Sequence, residues 1–554
     1  MFLPTSKKDM NKRGWKQLDI ILITGDAYVD HPSFGTSLIG RYLESLNYKV
    51  GIIAQPKIKN GYSDFKKLGK PKLFWGISSG NLDSIVANYT ARRKVRNDDS
   101  YSNNGRAFYE DKKGEKYRYR PDRAVMKYSQ IVKKEFDNPK IVLGGIEASL
   151  RRFSHYDYYQ NKIRHSILMD TKADILVYGM GEKAIEEISY RVKNKKSLKG
   201  INGTVIMENN IEFLNNYVKL PNNKKIKKHK KSLINRFNIL IENNHYKNGK
   251  TLVEGDGPWY IIQYPPQKPL STEEMDNLYN LPFERAIHPK YDRIPAFDMI
   301  KNSITSHRGC FGGCNFCSIG IHQGKHISSR SEESIINEVK KIKEKKYFKG
   351  HITDIGGPSA DMYNSYCSED EECSRKSCIY PKKCKFLVTN EKEYINLLER
   401  VNKIVNRVSI GSGLRLDMSM KYPSIVKKVI EKFTSGYLNI APEHISKNVL
   451  KYMGKFKKGV FENFVRMSKY ILKNCSTVMK PYFIVGHPGE NFKDTKDLKS
   501  FIRKNNIKVD SVQEFVPTPM TYSTALYYAN KDNNEINVYK PSEKKKAKNE
   551  VINL

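Results

Sequence analysis

The chain has 554 residues, 39% apolar and 28% charged, enough apolar chain for two or three cored domains. Its 98 Lys and Arg against 59 Asp and Glu leave a net charge of +39, which suits a polyanionic partner such as RNA; compositional drift explains it as well, since Lys, Asn, Ile and Tyr recur throughout. No run of about 20 apolar residues spans a membrane, and the N-terminal stretch MFLPTSKKDMNKRGWKQLDIILITGD lacks the apolar core and small-residue cleavage site of a secretory signal, so a cytoplasmic protein is expected.

Strand and helix signals alternate from the start. LDIILITGD (18–26) is a continuous apolar run, as buried parallel strands read. TSLIGRYLESLNY (36–48) has helical apolar spacing, and KVGIIAQP (49–56), KLFWGISSG (72–80), KIVLGGIEA (140–148) and ADILVYGMG (173–181) continue the strands. Residues 1–199 are therefore expected to form a doubly wound α/β domain. Ligands of such sheets bind at the carboxyl ends of the strands, where Asp26, Asp30, His31, Glu147, Arg151, Arg152 and His155 would lie, the last three offering anion contacts. YGMGEKAIEE (178–187) has two of the three glycines of a dinucleotide fingerprint, so NAD binding is weakly supported. The Arg- and Tyr-rich stretch 91–125 reads as an insertion.

Residues 200–295 are less regular and read as a connector; they hold the lysine run KKIKKHKK (224–231) and a helix start at Ser271-Thr272-Glu273-Glu274. From 296 to 530 a second series begins, with strands expected at 302–308, 350–357, 407–414, 436–443, 480–489 and 511–519. Six β/α units predict a partial (β/α)6 barrel with its active site at the carboxyl ends of the strands. Residues 531–554 read as a short basic tail.

The first of those strands leads into HRGCFGGCNFCSIGIHQGK (307–325), where Cys310, Cys314 and Cys317 are spaced by three and two residues. Three thiolates can hold three corners of a [4Fe–4S] cubane and leave one iron open. S-adenosylmethionine (SAM) would chelate that iron, and electron transfer from the cluster would release a 5′-deoxyadenosyl radical. Phe316 is placed to pack against adenine. Zinc would require a fourth ligand, such as His307 or His322; free thiols are the remaining alternative. Cys367, Cys373, Cys378 and Cys384 follow the second strand, spaced by five, four and five residues. They suit an auxiliary iron–sulfur cluster or a zinc site, with disulfides or inert thiols as the other readings. Cys475 reads as a core residue.

The Cys-x3-Cys-x2-Cys loop with Phe316 resembles the radical SAM signature. Together with TGDAYVDHPSFG, GGIEASLRRFSHYDYY, DIGGPSADMY, APEHIS and FVPTPMTYSTALYY it resembles the YgiQ-type radical SAM proteins, from about residue 15 to the C-terminus. The resemblance implies a radical SAM core preceded by a domain like the cobalamin-binding domains of other radical SAM enzymes. It implies that Gly356 and Gly357 contact the SAM amino group, with Pro358 standing at the motif's third position, and that Glu443 approaches the ribose and methionine part of SAM. It also places IVGHPGE (484–490) near adenine, although turn chemistry at Pro488-Gly489 accounts for that string nearly as well. Arg415, just beyond the third barrel strand, would pair with the SAM carboxylate; an ordinary ion pair at the barrel mouth is the alternative for Arg415 and Glu443. Cobalamin is often ligated through Asp-x-His-x-x-Gly, but in VDHPSFG Asp30 and His31 are adjacent and Gly35 comes one residue late, so no ligand motif supports cobalamin; several radical SAM cobalamin enzymes lack that motif, and cobalamin stays open beside a domain that closes over the barrel to bind substrate and a degenerate structural domain.

A radical SAM enzyme acting on an unknown substrate is the function expected, with RNA a candidate and a flavodoxin- or ferredoxin-like protein as electron donor. The competing class is a non-catalytic iron–sulfur protein that senses redox state or binds nucleic acid.

Overall fold

Ile20–Thr24 is buried along its whole length and needs partners on both edges, because every backbone N–H and C=O of a buried strand must be paired. It finds them in Val50–Ala54 and Phe74–Ile77, both parallel to it. Ile141–Leu143 and Ile175–Val177 extend the parallel sheet in turn. Numbered by sequence these five strands stand in the order 2-1-3-4-5, a doubly wound arrangement whose switch point falls between Ile20–Thr24 and Phe74–Ile77. The computed structural model describes residues 1–59, 61–369, 373–473, 475–532 and 535–552. They form two units, Met1–Lys268 with Leu281–Lys301, and Pro269–Asn280 with Asn302–Leu554.

Residues 200–268, expected as part of an irregular connector, complete the first sheet. Thr204–Glu208 pairs antiparallel with Ile175–Val177, and Trp259–Gln263, Thr251–Asp256 and Tyr217–Lys219 bring the sheet to nine strands. The turn between Asp256 and Trp259 is Gly257-Pro258, with Gly257 at φ +63°. Asp-Gly between two β-rich runs is a hairpin signal, masked in the sequence by the lysine run nearby, which reads as loop. KIVLGGIEA is strand only through Leu143, and a helix starts at Gly145. The 91–125 insertion contains a hairpin, Phe108–Glu110 with Lys116–Arg118.

The second unit starts with helix Thr272–Tyr279, capped reciprocally by Ser271 and Glu274. All six expected barrel strands are present. Ser303–Thr305 pairs parallel with Asp354–Gly356, and His351–Ile352 with Arg407–Val408. Leu414 bridges to Ile440, and Tyr437–Glu443, Val478–Val485 and Val512–Glu514 pair in sequence order. Helices Glu332–Lys343, Glu391–Asn402, Pro423–Lys432, Val460–Leu472 and Phe492–Lys504 separate them. One core of Ile, Leu, Val and Phe joins these strands and helices, with Cys475 packed at its edge.

The stretch expected as a basic tail carries the helix Pro541–Ile552, whose Lys544, Ala547 and Val551 are fully buried. Their i, i+3, i+7 spacing is a helical stripe that a lysine among the core positions disguises. Lys544 keeps its ammonium satisfied by donating to the Phe515 carbonyl at 2.8 Å.

Candidate functional site

The three-cysteine loop leaves the first barrel strand through a short stem in which His307–Arg308 pairs antiparallel with Ser328–Ser329. At its base Gly309 has φ +90°, and a Cβ there would fall on the His326 carbonyl oxygen. Gly309 N–H donates to Gln323 Oε1 at 3.0 Å and Cys310 N–H to Gly324 O at 3.0 Å, tying the two limbs of the loop together. Gly312 admits Arg415: a Cβ at 312 would meet its guanidinium and lie 3.3 Å from Cys310 Sγ. These glycines are required by close approach, not by chain flexibility.

Arg415 Nη1 donates to Cys314 Sγ at 3.7 Å, and the same guanidinium grips Asp417 through Nε at 3.1 Å and Nη2 at 3.0 Å. The Arg415 backbone is held by Asp361, whose Oδ2 accepts the Arg415 N–H at 3.0 Å; burial pushes Asp361 up to about 6 against its bonds to Ser359 and Arg415. Burial also raises the Cys310 thiol, with Arg415 opposing it, and pushes Cys317 up to about 12, with Cys314 beside it adding to the rise. Thiols held protonated by burial yield their protons when iron binds.

Gly356 and Gly357 end the second barrel strand. A Cβ at 356 would strike Ser412 Oγ, and one at 357 would stand 2.7 Å from both His307 Nε2 and the His307 carbonyl oxygen. The pair therefore lets three strand ends crowd together at the mouth. Glu443 ends the fourth strand at φ +63°, after a register shift that follows Ile440. It is buried, and its Oε1 lies 3.4 Å from Lys455 Nζ. A non-glycine residue held in the left-handed region costs energy, and such residues gather at functional sites. Phe316 meets the His487 ring edge-on at 6.3 Å, so the two positions read as adenine contacts lie together. His487 donates from Nδ1 to the Pro488 carbonyl at 2.9 Å and accepts from Ser523 Oγ at 2.7 Å; burial takes it down to about 3.

Lys376 is a residue that sequence reasoning missed. It hydrogen-bonds Asn315, between the second and third cysteines, and burial lowers it to about 8 while the Cys314 charge opposes. Its signal was its place between Cys373 and Cys378. Cys367, Cys373, Cys378 and Cys384 carry no disulfide.

At the switch point of the first unit, Asp26 stands between Asn81 N–H at 2.8 Å and Arg120 Nη2 at 2.8 Å. Arg120, from the insertion, also donates to the Ser79 carbonyl at 2.6 Å and to Asp99 at 3.2 Å, and is itself buried. Burial pushes Asp26 up to about 6, against the pull of Arg120. His31 faces Ser33 N–H at Nδ1 (3.1 Å) and Arg285 Nη1 at Nε2 (2.9 Å); Asp30 pairs with Arg41, and Glu147 accepts from Ser84 N–H at 2.8 Å. The anion contacts expected from Arg151, Arg152 and His155 are not offered to a ligand. Arg151 forks onto Asp83 at 2.8 and 3.0 Å, Arg152 donates to Gln263 at 2.6 Å, and His155 lies 3.0 Å from Arg151.

The thiols and donors of the barrel mouth fit an iron–sulfur cluster: three cysteines in one loop, backbone amides nearby, and a guanidinium on one sulfur. Among the described residues, no three His, Cys, Asp or Glu side chains are drawn together as ligands of a single ion; cubane thiolates bind separate irons and need no common point. His31 does not present a free nitrogen as an axial ligand to cobalamin, since Ser33 N–H and Arg285 Nη1 stand at its two ring nitrogens.

The model described as Radical SAM N-terminal matches residues 2–303, and that of the Radical SAM superfamily matches residues 304–502. A UPF0313 protein of Clostridium botulinum (strain 657 / Type Ba4) is 45% identical, covering 99% of this chain and 86% of its own. One of Thermotoga petrophila is 44% identical over 96% of this chain and 94% of its own. The solved radical SAM methyltransferase TsrM of Kitasatospora setae, bound to tryptophan and a SAM analogue, shares the fold with a TM-score of 0.52 at 13% identity, covering 90% of this chain and 74% of its own. Another structure of TsrM holds cobalamin and a [4Fe–4S] cluster.

Proposed function

We propose, from the premise that the chain belongs to the UPF0313 family of the radical SAM superfamily, that it is a radical SAM enzyme with its [4Fe–4S] cluster on Cys310, Cys314 and Cys317. The chemistry that cluster and SAM supply when bound is one-electron cleavage of the sulfonium, giving a 5′-deoxyadenosyl radical for hydrogen abstraction. The observation that carries the proposal is the Arg415 hydrogen bond to Cys314 Sγ, inside a loop closed by its own stem at the carboxyl end of the first barrel strand. That N–H and its positive charge favour added negative charge on the sulfurs. Asp417 fixes the guanidinium's direction by holding its other edge.

Glu443 and Lys455 give the mouth one acceptor and one donor, suited to the ribose hydroxyls and methionine carboxylate of SAM. Gly356 and Gly357 present bare backbone to the amino group, and Phe316 against His487 forms an apolar shelf for the flat base. Electrons come from a flavodoxin- or ferredoxin-like donor. A net charge of +39 favours acidic partners, and RNA is the polymer substrate it suits.

Anaerobic reconstitution followed by electron paramagnetic resonance of the dithionite-reduced protein tests the site. A signal that shifts on adding SAM is expected, and its loss in Cys314→Ala. A cluster signal indifferent to SAM would overturn the assignment.

A further inference from the structure

The described residues of the loop carrying the second cysteine group are held by scattered hydrogen bonds of their own, such as Arg375 Nη2 to the Lys382 carbonyl at 2.6 Å. Among the described residues between Ser368 and Phe386 there is no helix or strand, and few apolar side chains. Ordering a stretch of that length costs about 1–2 kcal/mol of backbone entropy per residue, and long structureless loops inside a domain need an external reason for order. Yet three of the thiols gather around Leu387, and Cys373 is held by Lys325. Cys367 pairs with Leu387 in a two-residue ladder. Cys384 N–H donates to the Cys378 carbonyl at 2.7 Å, and Cys378 and Cys384 pack together on the cluster of Phe311, Met362, Leu387 and Met418. Lys325 Nζ donates to Cys373 Sγ at 3.0 Å and to the carbonyls of Cys373 and Arg375.

We propose that Cys367, Cys373, Cys378 and Cys384 bind one iron–sulfur cluster through four thiolates, and that it fixes the loop as a wall of the first cysteine loop. Four soft sulfur ligands suit such a cluster, whose thiolates bind separate irons and need no common point. As each sulfur–iron bond forms, the thiol gives its proton to solvent, and no electron is transferred in the binding of a preformed cluster. Lys325 supplies positive charge beside an anionic tetrathiolate centre. The wall is in place: Cys378 N–H donates to the Phe311 carbonyl at 3.0 Å, and Ser377 Oγ donates to the Gly312 carbonyl at 2.8 Å, on the residues next to Cys310. A Cβ on Gly313 would lie 2.7 Å from the Lys376 carbonyl oxygen.

The test uses the full chain with Cys310, Cys314 and Cys317 all changed to Ala, purified anaerobically and separately reconstituted with iron and sulfide or with zinc. About four irons with matching sulfide retained per chain supports the site, whereas about one zinc and no iron overturns it. Retention should fall at least tenfold when Cys378→Ser is added. A folded chain that holds neither metal, or whose four thiols are recovered as two disulfides, overturns the proposal. Should the triple variant fail to fold, Cys378→Ser in the otherwise native chain decides the question instead. Metal content should drop by that one centre while the SAM-responsive signal of the first cluster persists, and an unchanged metal content would contradict the site.

Discussion

Arg415 donates to Cys314 Sγ at 3.7 Å with the one nitrogen that Asp417 leaves to it. A charge-assisted hydrogen bond is worth about 1.5–3 kcal/mol, a factor of roughly ten to a hundred in rate if it acts in the rate-limiting step. Arg415→Met should therefore keep its iron but form 5′-deoxyadenosine ten- to a hundredfold more slowly. Initial rates normalised to iron content measure this. An Arg415→Met protein as fast as the parent would show that the contact has no part in turnover.

Two glycines of the same loop separate strain from composition. Gly309 sits at φ +90° with the His326 carbonyl where a Cβ would go, whereas a Cβ on Gly320 finds nothing nearer than the Cys310 carbonyl at 3.7 Å. Gly309→Ala should prevent the stem from closing and lose most of the cluster iron. Gly320→Ala, inside the helix Ile319–Gln323, should retain it. Equal iron in the two variants would refute the assignment of the loop's geometry to Gly309.

Buried neutral histidines set a pH dependence. His487 is taken down to about 3 and His307 to about 4 by burial, against about 6.5 in an unfolded chain. Between those values the unfolded chain binds protons that the folded one refuses, so stability falls as pH drops below about 6.5. At pH 5 each group costs about 2 kcal/mol. Urea unfolding of the protein should show a lower midpoint at pH 5 than at pH 7, and His487→Gln should flatten that decline. An unchanged slope in the variant would mean that His487 does not carry the effect.

In the first unit, Ser33 N–H lies 3.1 Å from His31 Nδ1 and Arg285 Nη1 2.9 Å from its Nε2. Protein purified with hydroxocobalamin should show no corrin ligated by His31. The Co(II) resonance spectrum is the readout: a nitrogen splitting that disappears in His31→Ala would contradict the geometry.

Sequence patterning exposed the parallel strands and the barrel because continuous apolar runs at regular spacing have few alternative readings. Residues 200–268 were harder, since the strands that finish the sheet are separated by a lysine run and two helices, and their hairpin signal is a single Asp-Gly. Lys544 shows the same difficulty in the C-terminal helix: a buried lysine satisfied by one distant carbonyl looks like surface in any window of sequence. For the candidate site, Cys310, Cys314 and Cys317 were legible from spacing alone. Asp361, Asp417, Lys455 and Lys376 were not, because their roles depend on contacts between segments far apart in the chain. The pairing of Arg151, Arg152 and His155 with internal partners was invisible for the same reason, and their clustering in sequence suggested anion contacts where the fold supplies internal ones.

Radical formation at the three-cysteine cluster is tested most directly by incubating the anaerobically reconstituted protein with SAM and dithionite and quantifying 5′-deoxyadenosine by chromatography. Time-dependent formation in the parent protein, absent in Cys314→Ala, is the predicted result. An intact, reducible cluster that yields no 5′-deoxyadenosine would contradict it.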